Sequence, residues 1–96
     1  MEISFSNCYY RRYYPVSQFA KLIEAIRNNP RDVRFDDACR IAIRLGFTGG
    51  AGKGSHRAFS RPGEPTGLNF QNRRGKIPSY QAHQLIAMVD KYEEEL

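Results

Sequence analysis

His56 is the residue of this chain best suited to moving a proton near neutral pH, and its neighbours are basic. It follows Gly54 and Ser55, stands between Lys53 and Arg57, and shares its segment with Arg73, Arg74 and Lys76. RNA offers the matching chemistry. A base that removes the proton of a 2′-hydroxyl lets that oxygen attack the adjacent phosphorus, and an acid then protonates the departing 5′-oxygen. Positive donors stabilise the charge that builds up on the phosphoryl oxygens. The same residues would also suit a protein that holds a phosphate and does nothing to it, and residue types alone leave both roles open.

Other chemistries fit less well. The run Gly49-Gly50-Ala51-Gly52-Lys53-Gly54 resembles a phosphate-binding P-loop only superficially. The P-loop spacing G-x-x-x-x-G-K-[ST] would put Phe47 where the first glycine belongs and Gly54 where a hydroxyl is required. A hairpin turn, or a loop whose bare backbone lets a phosphate approach, remains for these glycines. Cys8, Cys39, His56 and His83 show no metal-ligand spacing. In residues 49–78 the carboxylates reduce to Glu64, whereas a two-metal nuclease needs several. Cleavage without metal is therefore expected, with no metal site and no cofactor. His83 falls off the apolar stripe of its helical segment, near Asp90, and reads as solvated; Cys39 reads as a lone buried thiol.

Charge narrows the partner. The net charge is +5, and residues 49–78 carry six Lys/Arg against one Asp/Glu, while residues 79–96 are net acidic. A positive stretch of this kind is an electrostatic footprint for phosphate. No apolar run is long enough to span a bilayer, and the N-terminus lacks the apolar core of a signal peptide. No membrane association is expected, and the expected compartment is the cytoplasm. Two cysteines are too few for a disulfide framework.

A chain of 96 residues has room for one domain. Residues 1–14, where Tyr9, Tyr10, Tyr13 and Tyr14 bracket Arg11 and Arg12, read as an extension, with the domain in 15–96. A first helix is expected over 17–28, capped by Ser17 and striped by Phe19, Leu22, Ile23 and Ile26. A second is expected over 37–45, capped by Asp36, striped by Ala38, Ile41, Ala42 and Leu45, and ended by Gly46. Three short extended segments follow. One begins at Phe47-Thr48, one covers Ser55–Ser60 and one covers Leu68–Asn72. Alternation puts Phe59 with Ser55 and Arg57 on one face of the middle strand and His56 with Ala58 and Ser60 on the other. It likewise separates Leu68 and Phe70 from Asn69 and Gln71. A last helix is expected over 80–93, capped by Ser79, with an acidic end at Glu93–Glu95 that sits unfavourably for the helix dipole. Helices and a meander of antiparallel strands in this order make an α+β two-layer domain.

The stretches Leu45-Gly46-Phe47, Gly52-Lys53-Gly54-Ser55-His56, Leu68-Asn69-Phe70 and Gly75-Lys76-Ile77 before an apolar helix resemble the HicA family, the toxin halves of bacterial toxin–antitoxin pairs. The resemblance covers residues 34–92, and Gly-Ser-His is its most specific piece. It implies a double-stranded-RNA-binding-domain-like α-β-β-β-α fold, here with an additional N-terminal helix. It also implies endoribonuclease activity on mRNA with His56 essential, and a HicB-like antitoxin that covers the site. Lys53, Gly54, Ser55, Arg57, Arg73, Arg74 and Lys76 are the expected RNA contacts. The first helix and the Tyr/Arg extension lie outside the resemblance, which leaves open both a homo-oligomer and a toxin–antitoxin hetero-oligomer.

Overall fold

The computed structural model describes residues 10–52 and 54–92. Three helices and three strands follow in the order α1 (Tyr10–Asn28), α2 (Phe35–Arg44), β1 (Thr48–Ala51), β2 (His56–Ser60), β3 (Leu68–Gln71) and α3 (Ser79–Tyr92). The strands form one antiparallel sheet with β2 in the centre. Helices α2 and α3 pack against β3, and α1 packs on α2 and α3. The α+β class expected from the apolar pattern, with an antiparallel three-stranded sheet, is what the chain adopts. No described helix is long and apolar enough to cross a membrane.

The core lies between helices and sheet. Ala38, Ile41 and Ala42 of α2, Phe70 of β3, and Ala82, Leu85 and Val89 of α3 are fully buried, joined by Phe47, Phe59 and Leu68. Phe59 and Phe70 meet with ring centroids 5.7 Å apart. The end of α2 follows directly from Gly46. Its φ of +94° is open to glycine at little cost. Its N–H donates to the Ile43 carbonyl at 3.0 Å and that of Phe47 to Ala42 at 3.0 Å, the paired bonds of a Schellman motif. This reversal drops Phe47 into the core and aims the chain into β1.

Three helix starts differ from expectation. Helix α1 begins at Tyr10, so Ser17 lies inside it and does not cap it, and the extension of 1–14 gives up residues 10–14 to the helix. The helix runs through Pro15, which brings no backbone N–H, and Arg11 and Arg12 before it are good helix formers. Helix α2 begins at Phe35, with Arg34 at the cap position and no side-chain cap. Asp36 therefore sits in the first turn. The capping role passes to a distant backbone group, because the Phe35 N–H donates to the Gly75 carbonyl at 2.8 Å. Ser79 is the first residue of α3, and the carbonyl of Pro78 accepts from the N–H groups of Gln81 and Ala82. Residues 1–9 and 93–96, including Cys8, Tyr9 and the acidic end, lie outside the described residues.

Glu64, alone among carboxylates in its segment, fastens the β2–β3 connection to α3. Its side chain is 2% exposed and meets Lys91 Nζ at 2.7 Å, and it accepts a hydrogen bond from the Tyr92 hydroxyl. Its second oxygen accepts from the Thr66 N–H at 3.1 Å. Across the same ring, the Arg61 guanidinium stacks on Tyr92, 3.6 Å from its centroid. The hydrogen bonds from Lys91 and Tyr92 hold the Glu64 carboxyl down at about 2, from an ordinary 4.5. A depressed carboxyl stabilises the folded chain fully above its ordinary value and loses that contribution as pH falls through the folded one. Thermal melts should therefore show stability declining between about pH 4.5 and about pH 2. Glu64→Gln should lower the melting temperature at pH 7 by several degrees and flatten this acid slope. A variant that melts like the wild type at both ends would show that the clamp contributes nothing.

Candidate functional site

Because Phe59, Leu68 and Phe70 face the helices, the alternate residues of their strands must face away. His56, Ala58 and Ser60 of β2 and Asn69 of β3 are exposed, and Gln71 is half-buried. Among the described residues the helices pack on the other side of the sheet. His56 stands directly opposite Gln71, and Ala58 opposite Asn69. The neighbouring pair is hydrogen-bonded, with the Asn72 N–H donating to the Ser55 carbonyl at 2.8 Å. His56 and Gln71 thus form a non-hydrogen-bonded pair, the kind whose side chains stand closest, with Cβ atoms about 4.5–5.5 Å apart. The Gln71 side chain is held from the other side, where Arg73 Nε donates to its Oε1 at 3.1 Å. The open face therefore runs His56, Gln71, Arg73, with Ala58 leaving a shallow, unobstructed centre.

The glycines before His56 serve the backbone of β2. A Cβ on Gly52 would lie 2.1 Å from the His56 carbonyl oxygen, and one on Gly49 would lie 2.7 Å from the Ala58 oxygen. At Gly49 the φ is also +124°. The β1–β2 register shifts between Gly49 and Ala51, a bulge that inserts one residue into β1. These glycines let one strand lie against the next at the point where His56 enters the sheet. Gly54 is different. It is exposed, and a Cβ there would meet nothing within 4 Å. Lys53 lies outside the described residues.

The other basic candidates separate into two groups. Arg57 is half-buried on the helix side of β2. One guanidinium nitrogen donates back to the His56 carbonyl at 3.2 Å, and its carbon lies 6.0 Å from the centre of the Phe35 ring. It braces the strand from behind and does not share the open face. Ser55 is half-buried and contributes its carbonyl to Asn72. Arg73, Arg74 and Lys76 stand together on a two-residue turn, closed by reciprocal bonds between Arg73 and Lys76 of 2.7 and 3.1 Å. Arg74 has φ +56° and Gly75 φ +88°, the pattern of a type I′ turn. Asn72 Oδ1 accepts from the Gly75 N–H at 2.6 Å.

This turn is tied to the segment before α2. The Ile77 N–H donates to the Val33 carbonyl at 3.0 Å, Arg34 pairs with Lys76 across an isolated bridge, and Lys76 Nζ meets Asp32 at 2.6 Å. The hydrogen bond and charge of Lys76 hold the Asp32 carboxyl below its ordinary value. Lys76 is thereby partly neutralised, and the pairing brings in Arg34, which sequence reasoning had not singled out. Nothing local could have revealed it, since its neighbour lies forty-two positions along the chain. Gln71 could be placed on the His56 side by alternation, but not opposite His56.

His83 is exposed on α3, and Asp90 pairs with Arg27 of α1 at 2.6 Å. Cys39 is free and half-buried, and burial raises its thiol pKa. Among the described residues no group of three or more His, Cys, Asp or Glu side chains could hold a metal ion. No family model matches the chain, and no match was found among curated proteins or solved structures.

The contact between Gly52 and β2 can be checked directly. Gly54→Ala should cost about 1 kcal/mol, the penalty of a left-handed backbone for an ordinary residue. Gly52→Ala must displace backbone, so it should lower the melting temperature further and shift the backbone amide resonances of His56 and Arg57. Equal melting of the two variants would refute the close approach.

Proposed function

We propose that this chain is a metal-independent endoribonuclease that cuts mRNA, with His56 as its proton-transfer group. We propose further that it is the HicA-like toxin of a toxin–antitoxin pair, covered when inactive by a HicB-like antitoxin. The observation that carries this reading is the exposure of His56 on the open face of the sheet, opposite Gln71, whose side chain Arg73 holds. Among the described residues the imidazole is exposed, as a group that must meet a large substrate has to be. The Gly-Ser-His resemblance agrees with that position, and the α2–β1–β2–β3–α3 order is compatible with a double-stranded-RNA-binding-domain-like layout.

In the proposed reaction neutral His56 takes the proton of a 2′-hydroxyl. The 2′-oxygen attacks phosphorus, the P–O5′ bond breaks, and the 5′-oxygen leaves with a proton. The products carry a 2′,3′-cyclic phosphate and a 5′-hydroxyl. Arg73 and Arg74 would hold the phosphate and oppose its growing charge, and Lys53, three positions before His56 in the sequence, would serve the same end. Independence from metal rests on the scarcity of carboxylates in residues 49–78.

A second reading has its own support. Among the described residues, His56 is the one histidine of this face; its neighbours there include Ala58, Ser60, Asn69 and Gln71. A face with one such group also suits a catalytically silent module that binds RNA or an antitoxin. Fold alone does not choose between them.

Comparison of wild type with His56→Ala separates the two. An exposed position should cost under about 1 kcal/mol in stability, and RNA affinity should fall only modestly because the arginines remain. Cleavage should drop at least ~100-fold, the usual loss for a positioned acid or base, and growth arrest on expression should vanish. Wild-type cleavage should persist in excess chelator. A folded His56→Ala variant that cuts at the wild-type rate would remove His56 as the catalyst, and a wild type that binds RNA without cutting it would establish the silent module.

A further inference from the structure

Tyr80 is 57% exposed, one of two large apolar side chains left in solvent among the described residues. It is nonetheless held in place. Gln81, which follows it, is buried to 6% exposure. The Gln81 side-chain Nε2 donates to the Tyr80 hydroxyl at 3.4 Å, and its Oε1 accepts from the Gln71 N–H at 2.8 Å. One buried amide thus joins the outer edge of β3 to an exposed aromatic ring. The strand residue it grips is the one that faces His56.

From this juxtaposition we infer that Tyr80 is a nucleobase-stacking platform of the RNA site, and that the site takes RNA whose bases are unpaired. The inference rests on the ribonuclease reading and adds its substrate form. The ring stands at the outer edge of the strand whose open face carries carboxamides, and an aromatic ring with carboxamides within a few residues is a set that captures a splayed base, by stacking and by hydrogen bonds to its edge. Asn69 and Gln71 supply the carboxamides, and Arg73 lies against Gln71. RNA with one base on Tyr80 would pass round the outer edge of β3, the strand that carries Gln71, to reach the face of His56. The size of the face agrees. Five residues of β2 extend about 16 Å at the usual rise, room for a few nucleotides. A duplex reader contacts two successive minor grooves over about 16 base pairs.

The test uses 2′-O-methyl RNA dodecamers, which cannot be cut by 2′-hydroxyl attack, as a single strand and as a blunt duplex. Dissociation constants are measured by fluorescence anisotropy for wild type, Tyr80→Ala and Tyr80→Phe, with thermal melts alongside. Wild type should prefer the single strand. Tyr80→Ala should melt like the wild type and bind the single strand about tenfold more weakly, within the range for losing one stacked base. Tyr80→Phe, which keeps the ring, should stay near wild-type affinity. Tyr80→Ala with undiminished affinity for a single strand that the wild type binds would overturn the inference alone, and would leave the ring to a protein partner. Equal or stronger wild-type binding of the duplex would also overturn it. A wild type that binds neither RNA would overturn the ribonuclease reading, and this inference with it.

Discussion

The sheet can bury only one of its faces, and that constraint decides the rest. Phe59, Leu68 and Phe70 point to the helices, each nearly or wholly removed from water. Burying a large apolar side chain is worth about 1.5–3 kcal/mol, and a slip of one residue would expose the whole set while pulling His56 and Gln71 into the core. No local preference of the exposed residues can compete with that. The position of His56 is therefore a consequence of where the phenylalanines must go. Gly49 and Gly52, pressed against the backbone of β2, and Arg57, bonded to the His56 carbonyl from behind, hold the strand in that register.

Long-range pairings then fix what surrounds the imidazole. The backbone of residues 33–35 pairs with residues 75–77, which sets the basic turn beside the sheet, supplies the N–H partner that opens α2, and places Arg34 next to Lys76. At the opposite end, Glu64, Lys91, Tyr92 and Arg61 fasten the β2–β3 connection to α3. Between these two ties, Gln81 bonds the outer edge of β3. An edge N–H that would otherwise be open to another strand is thus satisfied within the chain, and the strand that carries Gln71 is secured on both sides.

The parts legible in the sequence are those governed by local periodicity. The stripe of Ala38, Ile41, Ala42 and Leu45, the stop at Gly46, and the two faces of β2 and β3 all follow from spacing and one glycine. The exposure of His56 follows with them. What spacing could not convey is anything that depends on a partner far along the chain. Asp36 looked like a cap because no local residue could announce that Gly75 would accept from Phe35. Glu64 looked isolated because Lys91 and Tyr92 reach it only after α3 has docked. The start of α1 is not legible either, because Ser17 is a fit cap in isolation and Pro15 before it is a helix breaker, yet the helix begins at Tyr10. Charge alone puts Arg57 among the phosphate contacts, while the alternation that exposes His56 turns Arg57 to the helices.

The proposed chemistry asks for one thing the fold supplies, an exposed imidazole across from a glutamine that an arginine holds, and for one thing the substrate supplies, a 2′-hydroxyl. The second is the most direct point of attack. An RNA cut by the wild-type protein would be resynthesised with a single 2′-deoxy nucleotide immediately 5′ of the cleaved bond and compared with the unmodified strand. If His56 works by deprotonating that hydroxyl, the modified strand binds as well as the original and is not cut at that bond, while the original yields a 2′,3′-cyclic phosphate end. Cleavage of the modified bond at an undiminished rate, or products ending in a 3′-hydroxyl, would contradict the account.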